Sequence, residues 1–285
     1  MTMNKEGQIR SASRYDLPAL SRFIDSAPRT HRHLDWCPPL DWLGSQPFII
    51  LDTDEGIQAC LVCPEDPPEI AWIRYFACSL GVNPLSVWPQ LFQTCISYYQ
   101  NRKMPTLPAL GLSDWFTNLL RRNGFMLHQH IVSLERETAD PLPKIAPNSD
   151  VFVRLMQPED LERVAEIDRL AFEPIWQNSL HQVRLSYNQA AYATVAEIGD
   201  ILVGYQISTS NIFAYHLARL AVLPEYQHQG VGMALVTDLI VRAQRDRIWQ
   251  ITINTQDDNH SSLTLYQRAG FTLTGDKFPV FLYNL

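Results

Sequence analysis

LARLAVLPEYQHQGVGMALVTDLIVRA, residues 217–243, reads as an apolar strand ending near Val222 and Leu223, then a turn at Pro224 and a polar loop with Gly230 and Gly232. A helix follows, with Val231, Leu235 and Leu239 at four-residue spacing. A strand that feeds a glycine-bearing loop into a helix start is a physical device for holding phosphate. The first helical N–H groups lack intrahelical acceptors, the helix dipole favours negative charge, and glycine lets an anion reach the backbone. Two common phosphate loops match poorly. No lysine lies between Pro224 and Arg242, so a nucleoside triphosphate loop is excluded. Leu235 stands where a dinucleotide fingerprint needs a third small residue.

What remains is Gln227-His228-Gln229-Gly230-Val231-Gly232, which resembles the Q/R-x-x-G-x-G/A signature of the GCN5-related N-acetyltransferase (GNAT) superfamily. A second block supports it. After a strand-like stretch at 248–254, Asn259, Ser262, Leu265, Tyr266, Gly270 and Phe271 fall at N-x-x-[SA]-x-x-L-Y-x-x-x-G-F, similar to the last helix and strand of that superfamily. The resemblance implies an α/β (α+β) fold, a twisted mixed sheet flanked by helices, with acetyl-CoA as cosubstrate.

It also implies roles. Gln227, His228, Gln229, Gly230, Val231, Gly232 and Met233 would cradle the diphosphate of acetyl-CoA. The backbone of Leu220, Ala221 and Val222, on a bulged strand splayed from its neighbour, would pair with the pantetheine arm and polarise the thioester carbonyl. Asn259 and Ser262 would complete the coenzyme site, Asn259 also serving as a helix N-cap. Tyr266 is the candidate acid for the departing thiolate, since a phenol stays protonated at neutral pH. For the base, counting back about eleven positions from Gln227 reaches His216, where histone-type members carry glutamate; imidazole can accept an ammonium proton. Strand alternation puts His216 with Ala218, Leu220 and Val222, opposite Tyr215, Leu217 and Arg219. Glu173, in a loop beside the expected substrate entrance, is a second candidate base.

The chain looks duplicated. Arg10 and Asp16 recur as Arg154 and Asp160 at an offset of 144, and LLRRNGF at 119–125 parallels LYQRAGF at 265–271 at 146. The proline-bearing stretch 138–150 reads as a linker, giving domains at 1–137 and 151–285. The first copy lacks the chemistry. Leu120 stands for Tyr266, Ser113 for Asn259, and Pro84 and Ser86 for Gly230 and Gly232, so this domain is expected to bind no acetyl-CoA.

With 285 residues, 46% of them hydrophobic, the chain suits two domains. A net charge of −7 argues against nucleic-acid or anionic-membrane partners. The absence of an apolar run of ~18 residues and of a signal core suggests a cytoplasmic protein. Cys37, Cys60, Cys63, Cys78 and Cys95, all in the first half, read as free thiols, and no metal site is expected because Cys60-x-x-Cys63 has no partner pair.

The expected function is transfer of an acetyl group from acetyl-CoA to a primary amine, small molecule or peptide, in a ternary complex; the second half has no cysteine to carry the acyl group. The alternative is an acyl-CoA-binding sensor or scaffold without turnover. Oligomeric state is open, a homodimer included.

Overall fold

The computed structural model describes residues 7–100, 102–143 and 148–283. The chain forms two compact units, Met1–His128 with Pro279–Leu285, and Gln129–Phe278.

In the N-terminal unit, β1 (Gln8–Ser11), α1 (Leu17–Ser26), β2 (Arg29–Arg32), β3 (Phe48–Thr53), β4 (Gly56–Val62) and β5 (Tyr75–Cys78) are followed by α2 (Pro84–Tyr99), β6 (Leu107–Leu110), α3 (Asp114–Arg122) and the start of β7 (Phe125–Glu137). The sheet order is β1-β3-β4-β5-β2. α2 and α3 bury an aromatic core against it, with Phe76 edge-on to Trp88 at 4.9 Å. All five cysteines are free and buried there, and burial pushes the Cys60 and Cys95 thiols up, keeping them protonated.

The C-terminal unit continues with β8 (Val151–Leu155), α4 (Leu161–Ala171), α5 (Leu180–Gln189), β9 (Tyr192–Ile198), β10 (Ile201–Ser210), β11 (Ala214–Val222), α6 (Val231–Arg245), β12 (Gln250–Gln256), α7 (His260–Arg268) and most of β13 (Thr272–Tyr283). Its strand order is β7-β12-β11-β10-β9-β8, antiparallel except for the parallel β11–β12 pair. Among the described residues no helix is long and apolar enough to cross a membrane.

The two units share a local device. Arg10 bonds Asp16 (2.6 Å) and Asp52 (2.7 Å), and Arg154 bonds Asp160 (2.7 Å) and Glu197 (2.7 Å). In both, one guanidinium ties the first strand to the turn before the first helix and to the next strand in the sheet.

The division of the chain differs from the boundary read in the sequence, which kept all of 125–137 in the first domain and all of 272–285 in the second. β7 and β13 each pass from one unit to the other. From Ile131 to Glu137, β7 pairs with β12, whereas Val280 to Tyr283 of β13 pair with β6. Each unit is thus completed by a strand segment from the opposite half of the sequence. The stretch read as a linker begins as bonded structure: Thr138 N–H donates to Trp249 O (2.9 Å) and Gln244 Nε2 to Thr138 O (2.8 Å). Its residues 144–147 lie outside the described residues, as do 1–6 and 284–285 at the outer domain limits.

The Arg154 guanidinium holds Asp160's carboxyl below the usual carboxylate range. A depressed folded pKa stabilises above the unfolded value near 3.9 and is lost as pH falls through the folded pKa. Asp160→Asn should therefore cost ~1–2 kcal/mol at pH 7, the gap to the wild type closing below about pH 4, as measured by urea denaturation across pH.

Candidate acyl-transfer site

β11 changes partners along its length. Ala214 to Leu217 pair in parallel with Gln250 to Ile253 of β12, and that pairing then stops. On its other side β11 stays bonded to β10, but Ile207 pairs with Arg219 and Ser208 with Leu217, leaving Ala218 as the extra residue of a bulge. Leu223 N–H donates to Val203 O at 2.9 Å. In an antiparallel pair the bonded residues alternate, so Ala221 also faces β10 while the N–H and C=O of Leu220 and Val222 point to the edge that β12 has left. Gln227 Nε2 takes up the Val222 carbonyl at 3.1 Å.

The bulge overturns the expected alternation. Leu220 packs with Tyr215, Leu217 and Met233, and Val222 with Val231 and Leu235, all on the α6 side of the sheet. Arg219 reaches the opposite side, toward α4. One inserted residue shifts the period-2 pattern, so His216 does not share a face with Leu220 and Val222.

Beyond Val222, Pro224–Tyr226 form a single 3₁₀ turn, and α6 begins after Gly230. Its first intrahelical bond from the N-terminus is Ala234 N–H to Gly230 O (2.9 Å), and no side chain caps it, so the N–H groups of Val231, Gly232 and Met233 are open at the helix start. Gly230 has φ +85°, and a Cβ there would come 3.2 Å from the Cβ of Asn148, whose amide braces Gln229 O at 3.0 Å. A Cβ on Gly232 would meet Leu265 Cδ2 at 3.0 Å.

A cleft of about 750 Å³ connects these features. Leu220, Ala221, Val222, Gln227, His228, Gly230, Gly232, Met233, Asn259 and Ser262 line it, together with Phe172, Arg268 and other residues of α7. Gln229 and Val231 do not: Gln229 Nε2 donates to Glu225 O (2.8 Å), and the Val231 side chain is buried with Leu235. Asn259 caps α7, accepting from Ser262 N–H at 3.0 Å.

The three residues nominated for proton transfer lie off the lining. Tyr266 is 5% exposed, packed edge-on to Phe271, and burial lifts its phenol above the ordinary value. Among the described residues its hydroxyl forms no hydrogen bond. His216 Nδ1 lies 2.9 Å from Thr252 Oγ1, and burial lowers its pKa, leaving the ring neutral at pH 7. Glu173 is exposed at the head of the 3₁₀ turn Pro174–Trp176.

The sequence reading missed a buried ionic cluster beside the cleft. Asp168, 0% exposed, receives Arg219 in a two-pronged pair (2.7 and 2.9 Å), Tyr205 Oη–H and Asn178 N–H at 2.6 Å. Arg219 also donates to Trp176 O and stacks on Phe172 at 3.7 Å, so α4, β10, β11 and the cleft wall are tied through one carboxylate. One signal was available: Asp168 falls on the apolar stripe of α4 set by Leu161, Val164 and Ile167.

In the C-terminal unit a bulged strand splayed from a parallel neighbour and an open helix start line one cleft, the arrangement of an acyl-CoA-type fold. The comparisons agree. Residues 161–271, within the C-terminal unit, match the Acetyltransferase (GNAT) family. The N-alpha-acetyltransferase RimI of Mycobacterium tuberculosis is 26% identical over 136 residues, 46% of this chain and 84% of that protein. A Mycobacterium leprae protein of unassigned function is 26% identical over 151 residues, 51% of this chain, which spans only 41% of that relative's length. A tandem GNAT protein from the clavulanic acid biosynthesis pathway superposes with a TM-score of 0.62 at 14% identity, covering 97% of this chain and 98% of its own. At that identity the likeness concerns the fold alone.

Removing one member of the Asp168–Arg219 pair leaves the other charge buried and unmatched. Asp168→Asn and Arg219→Met are each expected to cost ~3–5 kcal/mol in equilibrium unfolding, and the double variant less than the sum of the two.

Proposed function

We propose that the C-terminal unit transfers an acetyl group from acetyl-CoA to a primary amine by direct attack within a ternary complex. The observation that carries this is the unpaired edge at Leu220 and Val222 opening onto the same cleft as the uncapped start of α6. The open amides, with Arg268 nearby, suit a diphosphate, and glycine at 230 and 232 leaves the space that a Cβ would fill. The strand edge offers the Leu220 N–H and C=O and the Val222 N–H to an amide-bearing pantetheine arm.

The amine nitrogen attacks the thioester carbonyl carbon, an edge N–H stabilises the oxyanion, and the C–S bond breaks as the tetrahedral intermediate collapses. Tyr266 then gives its proton to the sulfur. Its raised pKa keeps the phenol protonated at neutral pH, and among the described residues no group holds the hydroxyl by a hydrogen bond. The ammonium proton leaves through water to His216, neutral at pH 7 and off the cleft lining; exposed Glu173 is the weaker choice. A relative named an N-alpha-acetyltransferase favours the α-amine of a peptide as acceptor over a side-chain amine.

The N-terminal unit is assigned no coenzyme. Phe76 and Cys78 hold the places in β5 that Leu220 and Val222 hold in β11, and there β2 has already taken the edge, His31 pairing with Phe76 and Arg29 with Cys78. The chain's own backbone stands where a pantetheine arm would pair.

One observation favours the sensor reading: none of Tyr266, His216 and Glu173 lines the cleft. Thiol release from acetyl-CoA with a panel of peptide and small amines separates the two. The proposal expects turnover, one coenzyme bound per chain, and a fall in kcat of ~10²-fold or more in Tyr266→Phe with little change in KM for acetyl-CoA. Stoichiometric binding without turnover on any amine would favour the sensor.

A further inference from the structure

The N-terminal unit has a cavity of its own, about 320 Å³, between α3 and the start of α2. It occupies the position in that unit that the cleft between α6 and α7 occupies in the other. Its lining brings together Arg29, Asn83, Trp115, Asn118 and Arg122. Arg29 opens β2 and Arg122 closes α3, so two exposed arginines from separate elements line one cavity. Among the described residues neither forms an ion pair, whereas seven other arginines, such as Arg10 and Arg154, are matched to carboxylates.

Two like charges facing one cavity repel each other, and a multivalent anion turns that repulsion into attraction. The helix start contributes little, because Asn83 Oδ1 already accepts from Leu85 N–H at 3.0 Å and Pro84 has no N–H. Recognition therefore falls to the guanidiniums and the side-chain amides, with the Trp115 ring as an apolar wall. Acyl-CoA does not suit the site, since β2 fills the edge that its pantetheine arm would need.

We propose that this cavity binds a phosphorylated small molecule, a phosphate monoester or diphosphate without a pantetheine arm. The assignment is independent of the acetyl transfer proposed for the C-terminal unit.

Isothermal titration of pyrophosphate into the full chain, at fixed ionic strength and with excess coenzyme A to occupy the α6 cleft, tests it. One equivalent should bind. Arg29→Gln and Arg122→Gln should each weaken binding about tenfold, the loss of one charge-assisted contact. Arg121→Gln removes the same charge from the next position, where the guanidinium lies 5.6 Å over Phe281, and should leave affinity unchanged. Thermal unfolding of each variant checks that it remains folded. Absence of saturable binding, an equal loss in Arg121→Gln, or binding that survives both cavity variants would overturn the proposal; the last would place the anion outside this cavity.

Discussion

The extra residue at Ala218 is the constraint on which the rest of the C-terminal unit depends. A strand in regular register with both neighbours has no backbone group to spare. Here β11 keeps β10 throughout but loses β12 after Leu217, and the bulge turns the following residues so that Leu220 and Val222 face the gap. Unsatisfied backbone groups are costly when buried, so such an edge persists only where solvent or a ligand can reach it. The cleft supplies that access, and the α6 amides lie at its far end.

The N-terminal unit shows the other solution to the same constraint. Its central strand β5 has an equivalent edge, and β2 satisfies it with four ordinary antiparallel pairs. The difference between the units is therefore one of backbone supply before it is one of side-chain chemistry. Pro84, Ser86 and Leu120, where the other unit has Gly230, Gly232 and Tyr266, fit a closed edge that would leave such groups nothing to act on. That unit instead has a smaller cavity lined by Arg29 and Arg122, neither of which forms an ion pair among the described residues.

Much of this was legible in the sequence, and the gaps have physical reasons. The loop glycines and the Asn259 cap were readable because left-handed backbone and helix starts restrict residue type. The Arg10–Asp16 and Arg154–Asp160 repeats were readable because one geometry requires both members at fixed spacing. The exchange of β7 and β13 segments was not, because pairing partners of long strands leave no local signature. The same holds for β2, whose residues Arg29–Arg32 carry no alternation that would mark a strand. The face of His216 was misread because a bulge adds a residue without altering composition. The Asp168–Arg219 pair was not read because partners 51 residues apart leave no local signature.

The buried Asp168–Arg219 pair links the edge to the cleft wall. It fixes the strand residue next to the bulge against α4 and sets Phe172 over the guanidinium. Stabilisation of that kind is conditional, since either charge alone would be a liability in a low-dielectric site. It gives the open edge a rigid back while its front remains free.

Amide hydrogen exchange with and without acetyl-CoA tests the central claim most directly. The account predicts that coenzyme slows exchange at Leu220 and Val222 and at the amides of residues 231–233, while Phe76 and Cys78 of β5, already paired with β2, are unchanged. Unaltered exchange at Leu220 and Val222 under saturating acetyl-CoA, or equal protection along β5, would contradict it.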